Sequence, residues 1–226
     1  MTTCYKHCTN SCKECHPFLL LFDNKSRDYL KSKMFYKDYE KGEFLFQINE
    51  KASSLWLIDT GRVKISNNDL NGNERIISIF QKGEVIWESL FLENGKYTFN
   101  CITLEKTRIC KIETEYFEKV INNKNIALKI ISLLSKKLHD ANIRNQILSH
   151  SDPINRICGF FLYMSQKDNS LIINLKGEDI ASSVLLRTET VSRKLNELID
   201  DNIIKKVGQS SYQIIDYKKL VELSEF

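Results

Sequence analysis

No stretch of this chain is apolar over the roughly 20 residues that a transmembrane helix needs. The longest apolar run near the N-terminus is Phe18–Phe22. It follows Cys, Lys and Glu, and no small-residue cleavage site comes after it, so it does not read as a secretion signal. A cytoplasmic protein without membrane contact is the expectation. Charge of one sign is also lacking. The formal net charge is +4, and residues 150–226 hold ten Lys/Arg against eleven Asp/Glu. Only residues 125–149 lean basic, four against one. Bulk electrostatics thus give no support for nucleic-acid binding, and such a function must rest on a motif. No catalytic triad, P-loop, glycine-rich nucleotide motif or His/Glu metal pair is present, which counts against an enzyme. The two prolines, Pro17 and Pro153, each mark a break in pattern.

What is present is a soluble globular composition, 42% hydrophobic and 27% charged, in a length comfortable for two domains. The anomaly is cysteine. There are seven, and Cys4, Cys8, Cys12 and Cys15 crowd the first fifteen residues with spacing C-x3-C-x3-C-x2-C. An odd count without a secretion signal speaks against a disulfide framework. Their neighbours are polar, so burial is not the reason for them. Clustered thiols point to a metal or to redox chemistry, because thiolate is a strong soft ligand. His16 reads as a bystander, and Cys101 and Cys158 as core.

Residues 24–36 read as a short helix with Tyr29, Leu30, Met34 and Phe35 on its apolar side. From 37 to 112 the pattern turns to short strands, EFLFQI, LWLIDTGRVKIS, RIISIF and RICKI. Gly61, Gly72, Gly83 and Gly95 punctuate them at nearly even spacing, which predicts a small antiparallel sandwich or jelly roll. After Phe117 and Val120, helical periodicity returns. Ala127, Ile131, Leu134, Leu138, Ala141, Asn145 and Leu148 alternate by four and three, an a/d seam that predicts a dimer helix. Ile130, Leu133 and Ile147 widen the stripe, so the helix can also pack on its own domain.

Ser151-Asp152-Pro153 opens a helix over 154–166. A short strand at Leu171–Leu175 follows, then helices at Gly177–Val184 and Thr188–Asp200 joined by Leu185-Leu186-Arg187. Ile203–Val207 and Tyr212–Ile215 form a hairpin. That order is a winged helix-turn-helix. Glu189, Ser192 and Arg193, at i, i+3 and i+4, share one face of its second helix, while Val191, Leu195 and Leu198 face the other way. A polar, donor- and acceptor-bearing tip with an apolar back suits a major groove. The resulting domains are 1–22 (Cys-rich segment), 23–122 (β sensor), 123–150 (dimer helix) and 151–226 (DNA-binding domain).

Over nearly its whole length the chain resembles the Crp/Fnr superfamily of transcription regulators. Three stretches carry this: Lys41-Gly42-Glu43 with Leu57–Ile65 and Lys82-Gly83-Glu84; the long helix after Phe117; and Leu175–Ala181 with Thr188–Arg193 and Leu198–Ile204. The resemblance implies an α+β fold: a cyclic-nucleotide-binding-like antiparallel β jelly roll, a dimerisation helix and a C-terminal winged helix-turn-helix. The Glu-x-x-Ser-Arg arrangement resembles the oxygen-sensing Fnr branch. It implies a TTGAT-like inverted repeat in double-stranded DNA, with Arg193 on guanine, Glu189 on a cytosine amino group and also holding Arg193, and Ser192 on thymine. Arg187 and Thr188 flank these contacts, and RNA polymerase is the expected further partner. Where the family's helix-turn-helix has a turn glycine, this chain has Leu185, which predicts a wider turn or a different backbone conformation.

The resemblance also bears on the signal. Trp87 stands where cyclic-nucleotide binders of the superfamily have the glycine of a Gly-Glu pair, here Trp87-Glu88, and no Arg-Ser pair follows; a bulky indole there disfavours a cyclic nucleotide. The Fnr branch holds a [4Fe-4S] cluster with three N-terminal cysteines and one from the barrel. Cys15-His16-Pro17-Phe18 and Cys110 match its positions, which implies Cys8, Cys12, Cys15 and Cys110 as ligands, with Cys4 as a substitute. The spacing differs from the enterobacterial C-x3-C-x2-C-x5-C. A zinc site on Cys4, Cys8, Cys12 and Cys15, or a thiol redox switch, stands as the alternative. An iron–sulfur electron carrier would leave the winged helix unexplained.

Overall fold

The computed structural model describes residues 16–91, 95–121 and 124–225. A 3-10 turn at Pro17–Leu21 leads into α1 (Asn24–Ser32), which Asp23 starts by accepting from the Ser26 amide at 2.9 Å. Eight strands follow: β1 (Phe35–Tyr39), β2 (Phe44–Phe46), β3 (Ser54–Thr60), β4 (Arg62–Asn68), β5 (Glu74–Gln81), β6 (Val85–Ile86), β7 (Asn100–Thr103) and β8 (Thr107–Glu113). Then come α2 (Thr114–Ile121), α3 (Lys124–Ser149), α4 (Pro153–Asp168), β9 (Ile172–Ile173), α5 (Gly177–Val184) and α6 (Thr188–Asp200). β10 (Ile204–Gly208), β11 (Ser211–Ile214) and α7 (Tyr217–Ser224) close the chain. No helix among the described residues is long and apolar enough to cross a membrane.

The β-region is two four-stranded antiparallel sheets, ordered β1-β8-β3-β6 and β2-β7-β4-β5. Successive side chains of a strand face opposite ways, and here both faces of the first sheet are used. Trp56, Ile58, Ile86 and Ile109 point between the sheets, where they meet Phe46, Val63, Ile65, Phe80, Tyr97 and Cys101. Leu55, Leu57, Val85, Cys110 and Ile112 point outward, into a second core with Phe18, Leu19, Phe22, Leu30, Phe117 and Ile126. Double burial explains why β3 reads as an unbroken apolar run, Leu55–Ile58.

The helical reading of 24–36 overshoots. α1 ends at Ser32, and Phe35 opens β1, which pairs antiparallel with β8, Tyr36 opposite Cys110. Aromatic residues on a sheet edge satisfy their backbone through the neighbouring strand, a partner distant in the chain that local periodicity does not reveal. β6 and α7 lie outside the predicted elements, the first because it is two residues long. LWLIDTGRVKIS is two strands folded back at Gly61.

Gly61 has φ +83°, and a Cβ there would lie 2.5 Å from Thr107 Oγ1 and 2.6 Å from the Lys106 carbonyl. A Gly61→Ala substitution is therefore expected to cost about 3 kcal/mol, through left-handed strain plus overpacking. Urea unfolding should show a lower midpoint with an unchanged m-value; an unchanged midpoint would mean the turn relaxes freely.

The described residues divide into two compact units. One takes the chain up to Asn67 together with Ile77–Leu134; the other takes Asn68–Ile76 with Ser135 onward. In the second unit α4 is the central element, buried from Ile157 to Ser165. A three-stranded sheet, β10-β11-β9, lies in the same unit.

Candidate functional site

α5 and α6 form the helix-turn-helix. Ile180, Ala181 and Val184 on α5 and Val191, Leu195 and Leu198 on α6 are buried. This leaves Glu189, Ser192 and Arg193 together on the exposed side of α6, with Arg187 and Thr188 exposed at its start. Arg187 caps α6 without a side-chain hydrogen bond, so the first amides of the helix are not satisfied by that cap. Neither Glu189 nor Arg193 forms an ion pair among the described residues; the pair on this helix is Lys194–Glu197 at 2.7 Å.

The turn between the helices is not widened. Leu185 caps α5 in the left-handed region, φ 56° and ψ 44°, the conformation that a glycine adopts without penalty. The amides of Leu185 and Leu186 both return to the Ala181 carbonyl. An expected wider turn is thus corrected: the hydrogen bonds impose the tight turn on a leucine. The strain is about 1–2 kcal/mol, offset in part by the lower unfolded-state entropy of leucine relative to glycine. Leu185→Gly is expected to raise stability by about 0.5–1 kcal/mol. Thermal unfolding checks it, and a lowered midpoint would show that the half-exposed leucine side chain makes up for its backbone.

The hairpin β10–β11 supplies two cations beyond the predicted contact residues. Lys205 and Lys206 are exposed on β10, while Ile204 beside them is buried. Adjacent lysines in a wing strand were the available signal. Ser211 fastens the hairpin by donating to Asn174 Oδ1 at 2.8 Å.

On the long helix, Ile131 is 57% exposed, Leu134 38% and Leu138 64%. Ala141 and Asn145 are exposed and Leu148 is half-buried. Ile130 and Leu133, one step round, pack on the outer core of the β-region, and Ile147 is buried. Leu128, 58% exposed, lies outside the a/d reading.

At the other end of the chain, Cys4, Cys8, Cys12 and Cys15 lie outside the described residues. Cys110 is 1% exposed and shares the outer core with Phe18 and Leu19, which come three and four residues after Cys15 in the chain. Trp87 belongs to this core as well, edge-on to Phe18 (5.5 Å) and Phe117 (5.8 Å). Its indole therefore packs on the outer face of the sheet and does not fill the space between the sheets. That space is filled by other rings: Phe46 stacks on Tyr97 at 3.7 Å, and Trp56 Nε1 donates to the Tyr97 hydroxyl at 2.7 Å. Burial raises the Tyr97 pKa to about 12.

His16 Nδ1 accepts from the Phe18 amide, and its Nε2 has no hydrogen-bond partner among the described residues. Burial lowers its pKa to about 4, so it stays neutral. Desolvation lifts the Cys101 thiol well above its ordinary range and the Cys158 thiol to about 12, so both behave as core. Among the described residues no group of three or more His, Cys, Asp or Glu side chains is placed to hold a metal ion.

Known proteins agree with this architecture. Residues 36–124 match a cyclic nucleotide-binding domain, and residues 155–223 a Crp-like helix-turn-helix domain. The chain is 22% identical over 187 residues to the cyclic AMP receptor protein of Thermus thermophilus, covering 82% of this chain and 86% of that one. The structure of FixK2 from Bradyrhizobium japonicum superposes with a TM-score of 0.75 at 22% identity, over 84% of this chain and 96% of that one. The c-di-GMP responsive global regulator CLP of Xanthomonas campestris superposes with a TM-score of 0.71 at 19% identity, over 85% and 99%. With a nucleotide-type sensor fold, a long helix and a helix-turn-helix in this order, the chain belongs to the Crp/Fnr family of DNA-binding transcription regulators.

Proposed function

We propose that this regulator works as a homodimer, reads a TTGAT-like inverted repeat, and is controlled by an oxygen-labile [4Fe-4S] cluster on Cys8, Cys12, Cys15 and Cys110. The observation that carries the sensor reading is the position of Cys110: one buried thiol on the outer face of β8, in the same core as the turn that follows Cys15. A sulfur donor at that place and three on the adjoining segment suit an iron–sulfur cluster. When bound, the cluster supplies a clip between the N-terminal segment and β8 that oxidation removes.

The chain's own residues link that clip to the dimer helix. Phe18 lies tilted and Phe22 edge-on against Phe117, and Ile126 and Ile130 of α3 pack in the same core. Lys129 Nζ on α3 donates to the Leu21 carbonyl at 2.9 Å. A shift of the N-terminal turn therefore bears on the start of α3 and on how its exposed seam meets a second copy. On DNA, Glu189, Ser192 and Arg193 contact base edges, while Lys205 and Lys206 contact phosphate. The ring-filled space between the sheets supports a signal other than a cyclic nucleotide.

The test is anaerobic purification, with absorbance, iron, sulfide and zinc measured before and after air, for the native chain and for Cys110→Ser. The expected result is a brown protein bleached by air, with cluster lost in the variant. A colourless protein holding stoichiometric zinc, unchanged by air and by Cys110→Ser, would replace the cluster with a zinc site on the four N-terminal cysteines.

A further inference from the structure

The tip of the β4–β5 hairpin, Asn68–Ile76, belongs to the same compact unit as the helix-turn-helix. Asp69, Asn73, Glu74 and Arg75 make one wall of a cleft of about 640 Å³, and the α5–α6 turn with the first residues of α6, Leu185–Glu189, makes the other. We propose that this hairpin tip is an intramolecular cover over the DNA-reading start of α6, held by Arg144, so that hairpin and DNA compete for the same helix end. The inference rests on reading α6 as the element that enters DNA.

Sterics set the competition. A major groove, about 12 Å wide and 8.5 Å deep, must close around the tip of α6, and the hairpin wall stands in that space. Charges of both signs meet there: the first turn of α6 brings the positive end of its helix dipole, Arg187 and Glu189, and the tip brings Asp69, Glu74 and Arg75. DNA phosphates would seek the same end.

The tip is built to keep its shape. Asp69 accepts from the amides of Asn71 and Asn73, both at 2.9 Å, and from Asn73 Nδ2 and Arg75 Nη2. It therefore moves as a body about its foot, and the foot is where Arg144 acts. That side chain is 7% exposed on α3. Its Nη2 donates to the Ile76 carbonyl at 3.1 Å, and its guanidinium lies 5.9 Å from the ring centre of Tyr163 on α4. Nη1 has no hydrogen-bond partner, and no carboxylate pairs with the group among the described residues. A guanidinium buried on one carbonyl and one ring is expensive to keep. Such a group serves as a reversible clasp better than as permanent packing.

Two variants of the full-length, anaerobically purified protein test the cover: Arg144→Met, and a shortened hairpin in which Asp69–Asn73 is replaced by Asn-Gly. Hydrogen exchange without DNA reads the amides of Thr188–Thr190, which lack intrahelical acceptors. Fluorescence anisotropy reads binding to a TTGAT inverted-repeat duplex and to a scrambled one. A cover that leaves the open form populated at about one part in ten predicts roughly 10-fold tighter binding to both duplexes in either variant. The Thr188–Thr190 amides should exchange faster in both. Native-like affinity, or weaker binding, by the shortened-hairpin variant would overturn the cover. Faster exchange with neither duplex bound by any of the three proteins would overturn the reading of α6, and the cover with it.

Discussion

Arg193→Ala is expected to remove the preference for a TTGAT inverted repeat over a scrambled duplex. A bidentate arginine–guanine contact discriminates by about 1–3 kcal/mol, and a dimer makes it once in each half-site, so the loss is about 2–6 kcal/mol in specific binding. Arg193 is exposed and forms no ion pair among the described residues, so the fold has little to lose, and circular dichroism should be unchanged. Affinity for the scrambled duplex should fall far less. Lys205→Ala and Lys206→Ala form the natural contrast. Removing a phosphate contact should weaken both duplexes alike and flatten the salt dependence by about one unit of slope per contact, so about two for each substitution in a dimer. Anisotropy titrations at several salt concentrations separate the two patterns. Preference retained after Arg193→Ala would place base readout elsewhere on α6.

The second large effect concerns the long helix. Ile131→Glu with Leu138→Glu is expected to convert the dimer to monomers at micromolar concentration. Leu128, Ile131 and Leu138 are more than half exposed and Leu134 is 38% exposed, and fully burying such a side chain is worth about 1.5–3 kcal/mol. Two glutamates facing two more across a seam reverse that gain and add repulsion. The positions are exposed, so monomer stability should be preserved, and sedimentation with a thermal melt checks both at once. Binding to the inverted repeat should fall to that of a single half-site. A stable dimer carrying both changes would move the interface off α3.

The helix-turn-helix was legible because its determinants are local. The apolar spacing of Val191, Leu195 and Leu198 and a three-residue turn placed α5 and α6 to the residue. The same locality misled at Leu185. A missing glycine read as a changed turn, yet hydrogen bonds to Ala181 outweigh a leucine's aversion to positive φ. β1 was lost in the same way, since its tendency to form a strand comes from β8.

What the chain determined by itself was the order of its parts, the polar face of α6, the apolar seam of α3 and a cluster of thiols at one end. Each depends on spacing within a few residues, which helical and strand periods carry directly. Tertiary structure decided which side of a doubly buried sheet each residue takes. Alternation says that Ile109 and Cys110 point apart, and only the second sheet and the Pro17–Leu21 turn say which way. It sent Trp87 outward to Phe18, filled the space between the sheets with Phe46 and Tyr97, and brought Asn68–Ile76 into one unit with α6. Those placements follow from contacts between segments far apart in the chain, and their closure cost and reward appear only once the fold is complete.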